Sequence, residues 1–158
     1  DVFLHETGHA VFDMLEIPFL GREEDAADQF SAYILLQLAK DCARRLILGV
    51  AYLGSKQAQQ EMEISSELSR FADVHELPAQ RYFNVLCMAY GEDPKLFADA
   101  ITDWHLPETR AKNCKYEYLR FQYAFRTLIQ PYLDWELCEK VKLANLLAFT
   151  PEAEILFP

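Results

Sequence analysis

Apolar residues recur along this chain at helical spacing, and no stretch alternates cleanly with a period of two. The pattern predicts a mainly α fold with few strands. Asp1 can cap a first helix, roughly 2 to 16, which Pro18 and Gly21 end in "EIPFLGRE". A second, long helix begins near Arg22, where Glu23, Glu24 and Asp25 suit the positive end of the helix dipole. It runs on through "FSAYILLQLAKDCARRLILGVAYL", apolar on most faces and so expected to be central and buried, and stops at Gly54-Ser55.

Residues 56 to 71 are polar with a thin apolar stripe (Met62, Ile64, Leu68), as in a solvated helix or a mobile connection. "DVHELPAQ" reads as a loop into a helix with Pro78 near its first turn, and that helix ends at Gly91 as a C-cap glycine. "DPKLFADAITDW" predicts a short helix with Pro94 in its first turn. A long one follows in "LPETRAKNCKYEYLRFQYAFRTLIQ", with Pro107 at its start and Pro131 after its end. A last amphipathic segment covers about 134 to 148.

Length and composition narrow the function classes. At 158 residues the chain suggests a single domain, 1–158, able to bury roughly two thirds of its unfolded surface. A net charge of −10 argues against nucleic-acid or anionic-membrane partners, which need a basic footprint. No apolar run approaches the roughly 18 residues that cross a bilayer. The chain opens just before His5 without an initiator Met, so it reads as an N-terminally truncated fragment. The four cysteines (Cys42, Cys87, Cys114, Cys138) lack C-x-x-C spacing; buried thiols are the default, and one or two disulfides fit an exported protein.

The chemistry concentrates in "VFLHETGHAV". Residues four apart lie on one helix face about 6 Å apart along the axis, so His5 and His9 can aim ring nitrogens at one cation. Glu6 projects beside His5, where it can take a proton from the attacking water. This is H-E-x-x-H, the zinc-peptidase pattern. The pentapeptide also arises by chance, and a buried helix with two hydrogen-bonded histidines is the competing reading. The neighbours Val2, Phe3, Leu4, Thr7, Gly8, Ala10 and Val11 are all uncharged, as a buried metal helix requires.

"GREEDAAD" supplies the second half. A catalytic zinc takes three protein ligands and leaves its fourth position open. Glu24 completes the set His5, His9, Glu24, and Asp28, one turn later, can accept from the free ring N–H of a ligating histidine. Glu23 is the rival ligand, but Ala27 four residues on offers no such partner. Plain charge preference at a helix start accounts equally for either glutamate taken alone.

HETGH followed by Glu24-Asp25-Ala26-Ala27-Asp28 resembles the H-E-x-x-H … E-x-x-x-D arrangement of gluzincin metallopeptidases, thermolysin-like and CAAX-prenyl-protease-like enzymes among them. More narrowly, the chain resembles a bacterial family labelled "putative metallopeptidase", through "HETGHAVFDMLEIPFLGREEDAADQFSA", "DVHELPAQRYFNVLCMAYGEDP" and "LPETRAKNCKYEYLRFQYAFRTLIQPYL". The resemblance implies a zincin-like fold whose small antiparallel sheet precedes the motif helix and is missing from this chain. It implies a periplasmic or secreted setting and, within it, a disulfide between Cys87 and Cys114, free buried thiols being the alternative. Enzymes of this class often add a residue that stabilises the oxyanion. His75, followed by Arg81 and Tyr82, is the candidate, against a loop histidine that hydrogen-bonds the backbone; His105 reads as ordinary loop chemistry.

Three readings follow. The first is a zinc-dependent peptidase acting on peptide or protein substrates, with Glu6 as general base. The second is a non-catalytic, zinc-stabilised or inactive peptidase-like binding domain. The third is an acidic helical interaction domain without metal.

Overall fold

A computed structural model describes residues 2–64, 76–137 and 140, and among them the regular structure is helical, without strands. Among the described residues these α-helices follow one another in order: α1 Val2–Met14, α2 Glu23–Leu36, α3 Lys40–Ile64, α4 Pro78–Glu92, the single turn α5 Asp99–Thr102, and α6 Glu108–Leu128. A 3-10 turn, Gln130–Tyr132, holds Pro131 after α6, as the sequence suggested. The expectations for Asp1, His75 and residues 141–148 lie outside the described residues.

The α1 helix buries His5, Gly8 and Phe12, one stripe at helical spacing. Glu16, at φ 50°, ends it in a left-handed turn, and the Ile17 N–H donates to the Phe12 carbonyl at 3.0 Å. The chain then doubles back through Pro18 into α2, which packs against α1. No side chain caps α2 at Arg22; Glu23, Glu24 and Asp25 in the first turn oppose the dipole instead.

The long second helix expected from the apolar run is two helices. The chain turns at residues 37–39, where neither Gly nor Pro marks the break, and Gln37 Nε2 donates to the Tyr33 carbonyl at 3.1 Å. Contacts at the start of α3 explain it. Lys40 pairs with Asp93 at 2.8 Å, and Arg44 forks onto Asp99 at 2.9 and 2.6 Å and donates to the Leu96 carbonyl at 2.6 Å. These ion pairs tie α3 to the α4–α5 connection and override local helix preference.

Nor does α3 stop at Gly54-Ser55. It continues to Ile64, and Gly54 lies where α4 comes close, an added Cβ reaching 3.6 Å from Tyr82 Cβ. Gly91 is likewise no cap: α4 runs past it to Glu92, and no glycine adopts positive φ. A Cβ at Gly91 would overlap the Cys114 carbonyl and stand 2.9 Å from Tyr118 Cβ, so the glycine permits α4 and α6 to touch. Pro94 falls in a turn before α5 rather than in its first turn.

Packed against α2, α3 and α6, α4 is the hub of the molecule. The larger core cluster joins Phe12, Phe30, Tyr33, Ile47, Met88 and Phe97 to Phe125 of α6. The smaller gathers Ala51, Leu86, Leu106 and Ala111 around Cys87 and Cys114, which form a disulfide between α4 and α6. Cys42 is a free, half-buried thiol.

Candidate metal centre

The first two helices build the site by meeting closely. Gly8 of α1 faces Ala27 of α2, which is completely buried; a Cβ at Gly8 would stand 3.4 Å from Ala27 Cα and 3.2 Å from a Phe30 ring carbon. This approach brings both imidazoles within reach of the carboxylates on the first turns of α2. His5 is buried, at 6 % exposure, while His9 and Glu24 are half-buried.

Three ligand-type atoms converge. His5 Nε2 lies 3.2 Å from His9 Nε2 and 3.2 Å from Glu24 Oε2, and His9 Nε2 lies 3.5 Å from that same oxygen. The outer ring nitrogens each meet a carboxylate of their own. His5 Nδ1 is 2.8 Å from Asp28 Oδ1, and His9 Nδ1 is 2.8 Å from Glu23 Oε1. Carboxylates only accept, and these 2.8 Å contacts are shorter than the 3.2 and 3.5 Å approaches of Glu24, so in the neutral rings we assign the hydrogen to each Nδ1 and a lone pair to each Nε2.

Two imidazole lone pairs and a carboxylate oxygen thus point at one another, an arrangement that a positive charge between them relieves. Ligands placed tetrahedrally at zinc bond lengths of ~2.0–2.1 Å stand about 3.3 Å apart. The observed 3.2, 3.2 and 3.5 Å straddle that value. Among the described residues, His5, His9 and Glu24 form the group whose ligand atoms all lie within 4.8 Å of one another. The donor set fits a divalent metal ion.

The surrounding charges are mostly acidic. The hydrogen bond to Glu23 holds His9 above the ordinary histidine range, against the opposing effect of partial burial, and the charges of Glu24, Glu23 and Glu6 add to it. Glu6 itself is exposed on α1. Burial raises the Asp25 carboxyl, one of whose oxygens is enclosed without a hydrogen-bond partner among the described residues. Burial also raises Glu76, reinforced by the nearby Asp25 and Asp28, and Glu76 accepts from Asn84 Nδ2 at 2.5 Å.

Two partners escaped the sequence reading. Glu23, weighed as a ligand, instead faces the outer nitrogen of His9, and Ala27, which seemed to count against it, is the surface against which Gly8 packs. Arg81 of α4 donates from Nε to Asp28 Oδ2 and from a terminal nitrogen to Asp28 Oδ1, both at 2.6 Å. The two residues are 53 positions apart, so no local spacing could link them. His75 lies outside the described residues. His105 is exposed in a loop at φ 58°.

Among the described residues no helix is long and apolar enough to cross a membrane. No curated protein and no solved structure matches the chain. A family model described as "Putative metallopeptidase" matches residues 1–129, a span that contains the whole His5–His9–Glu24 cluster, and the chain belongs to that family.

Proposed function

We propose that the protein is a zinc-dependent peptidase of the zincin type, with His5, His9 and Glu24 as the metal ligands and Glu6 as the general base. The observation that carries this reading is the convergence of two Nε2 atoms and Glu24 Oε2 at 3.2–3.5 Å. Among the described residues three ligands converge rather than four, which supports catalysis over a closed structural site, since a structural zinc usually takes four protein ligands.

A zinc ion held there supplies Lewis acidity, polarising a carbonyl and lowering the pKa of water toward about 7. The protein's own groups do the rest. Asp28 and Glu23 fix the tautomers of His5 and His9 and keep both Nε2 atoms aimed inward. Glu6 accepts a proton from the attacking water at a carboxylate oxygen. It then delivers that proton to the nitrogen of the leaving amine as the C–N bond breaks, so the water's oxygen and its second proton end in the new carboxyl group, which ionises to solvent.

We place the reaction in a periplasmic or secreted setting, and the Cys87–Cys114 disulfide supports this, because such bonds persist in oxidising compartments. The test combines metal analysis of the purified full-length protein with a peptide-library cleavage assay. About one zinc per chain is expected, and Glu6→Gln should retain zinc while losing roughly 10²–10⁴-fold in cleavage rate. Cleavage by Glu6→Gln at the wild-type rate would sink the mechanism. Zinc bound without cleavage by the wild type would favour a binding domain, and a melting temperature indifferent to zinc and chelator would remove the metal altogether.

A further inference from the structure

Resting on that metal reading, we infer that Arg81 is a positioning residue of the site: its guanidinium clamps Asp28, and through Asp28 it sets the ring of His5. The geometry is a planar fork. Nε meets one Asp28 oxygen and a terminal nitrogen the other, both at 2.6 Å, and the second of these oxygens also receives the His5 Nδ1–H at 2.8 Å. Three donors thus hold the Asp28 carboxylate in one orientation, two on Oδ1 and one on Oδ2.

The pairing solves a problem that the site creates. Asp28 is largely buried, at 15 % side-chain exposure, in surroundings that already hold Glu24, Asp25 and Glu76. A carboxylate so placed is costly unless it is neutralised and hydrogen-bonded. Arg81 supplies that charge together with two donors, and so fixes the Asp28 oxygen that meets His5 Nδ1. The His5 ring is thereby held with Nδ1 toward Asp28 and Nε2 toward His9 and Glu24, the orientation a metal ligand needs.

The clamp also stands on firm ground. Arg81 lies in the first turn of α4, whose next turns bury Val85, Leu86, Cys87, Met88 and Ala89 and are tied to α6 by the disulfide. One residue on, Tyr82 donates its hydroxyl to the Trp104 carbonyl at 2.5 Å. A separate, rigid helix thus dictates the orientation of a ligand on α1 without touching the metal.

The test is zinc affinity of the full chain, measured by competition with a chromophoric chelator. Compared are wild type, Arg81→Gln, Arg81→Lys, Asp28→Asn and the double variant Arg81→Gln/Asp28→Asn, with helicity and melting temperature of the metal-free proteins in parallel. Arg81→Gln is expected to weaken zinc binding by ~10-fold or more. Arg81→Lys, which keeps the charge but not the fork, should fall between it and wild type. Arg81→Gln should cost nothing further once Asp28 is Asn, because the effect passes through that carboxylate. Wild-type affinity in Arg81→Gln, or in Arg81→Lys should the Gln variant not fold, overturns the inference. So does an undiminished loss in the Asp28→Asn background, which would make Arg81 a mere strut between helices. A wild-type chain that takes up no zinc fails differently, since it removes the metal reading itself.

Discussion

Gly8 and Ala27 face each other across the α1–α2 crossing, with room at Gly8 for a Cβ and little more: that atom would reach ordinary contact at 3.4 Å from Ala27 Cα and a tight 3.2 Å from Phe30 Cδ1. The residue between the two motif histidines is therefore as much a part of the site as they are. Gly8→Val should push α1 off α2. Overpacking of this kind typically costs about 1–3 kcal/mol, read as a lowered urea midpoint. Zinc affinity should drop with it, because His5 and His9 move away from Glu24. A variant that loses stability yet binds zinc as tightly as wild type would show that the crossing does not set the ligand geometry.

At Gly91 a Cβ has still less space, since it would run into the Cys114 carbonyl and Tyr118 Cβ. Glycine inside a helix ordinarily costs about 1 kcal/mol relative to alanine, so propensity alone predicts that Gly91→Ala stabilises α4. The backbone contact reverses the sign. Gly91→Ala should lower stability by about 1–3 kcal/mol in chemical denaturation. Because α4 carries Arg81, a smaller loss of zinc affinity should follow. An unchanged or raised midpoint would mean that α4 and α6 separate at little cost.

What the sequence revealed of this molecule was what local spacing encodes. Four residues make one helical turn, so His5 with His9, and Glu24 with Asp28, each had to share a face, and the Pro18 turn had to bring those faces together. The mainly α character followed from periodicity in the same way. The break at residues 37–39 was invisible because Gln, Leu and Ala favour helix, and the forces that bend the chain there come from Asp93 and Asp99, more than fifty residues away. Gly54 and Gly91 misled for a related reason. A glycine that ends a helix and one that admits a neighbouring helix look alike in one dimension, and only the position of Tyr82 or Cys114 tells them apart. Arg81 was named for its proximity to His75, whereas its partner is Asp28.

The Lys40–Asp93 pair predicts how the fold responds to acid. Asp93 accepts from Lys40 Nζ at 2.8 Å and from the backbone N–H groups of Leu96 at 3.0 Å and Lys95 at 3.1 Å, closing the turn after α4. The Lys40 bond, foremost, and these backbone donors lower its carboxyl to about 2. An unfolded aspartate titrates near 3.9, so the folded state holds its proton less tightly. The stabilisation is therefore complete above pH ~4 and disappears as the pH falls toward 2. Asp93→Asn should flatten the fall in urea midpoint between pH 4 and 2, and an unaltered slope would refute the assignment.

His9 and Glu23 give the metal site its own pH dependence. The Glu23 carboxylate accepts from His9 Nδ1 and raises its pKa above the ordinary 6.5. In the metal-free protein that bond stabilises the fold below pH 6.5, and the contribution is lost as the pH rises through the higher folded value. Zinc must displace the proton from His9 Nε2, so affinity should fall as the pH drops through the same value. Glu23→Gln removes the charge and lowers the His9 pKa. The loss of affinity should then begin at a lower pH than in wild type. At pH 8, where no proton competes, the variant should instead bind zinc more weakly, because the imidazole has lost the carboxylate that makes it a stronger donor. Chelator competition from pH 5 to 8, with the His9 ring resonances followed by NMR in the metal-free chain, resolves both effects. Coincident wild-type and Glu23→Gln curves would show that this carboxylate has no part in preparing the ligand.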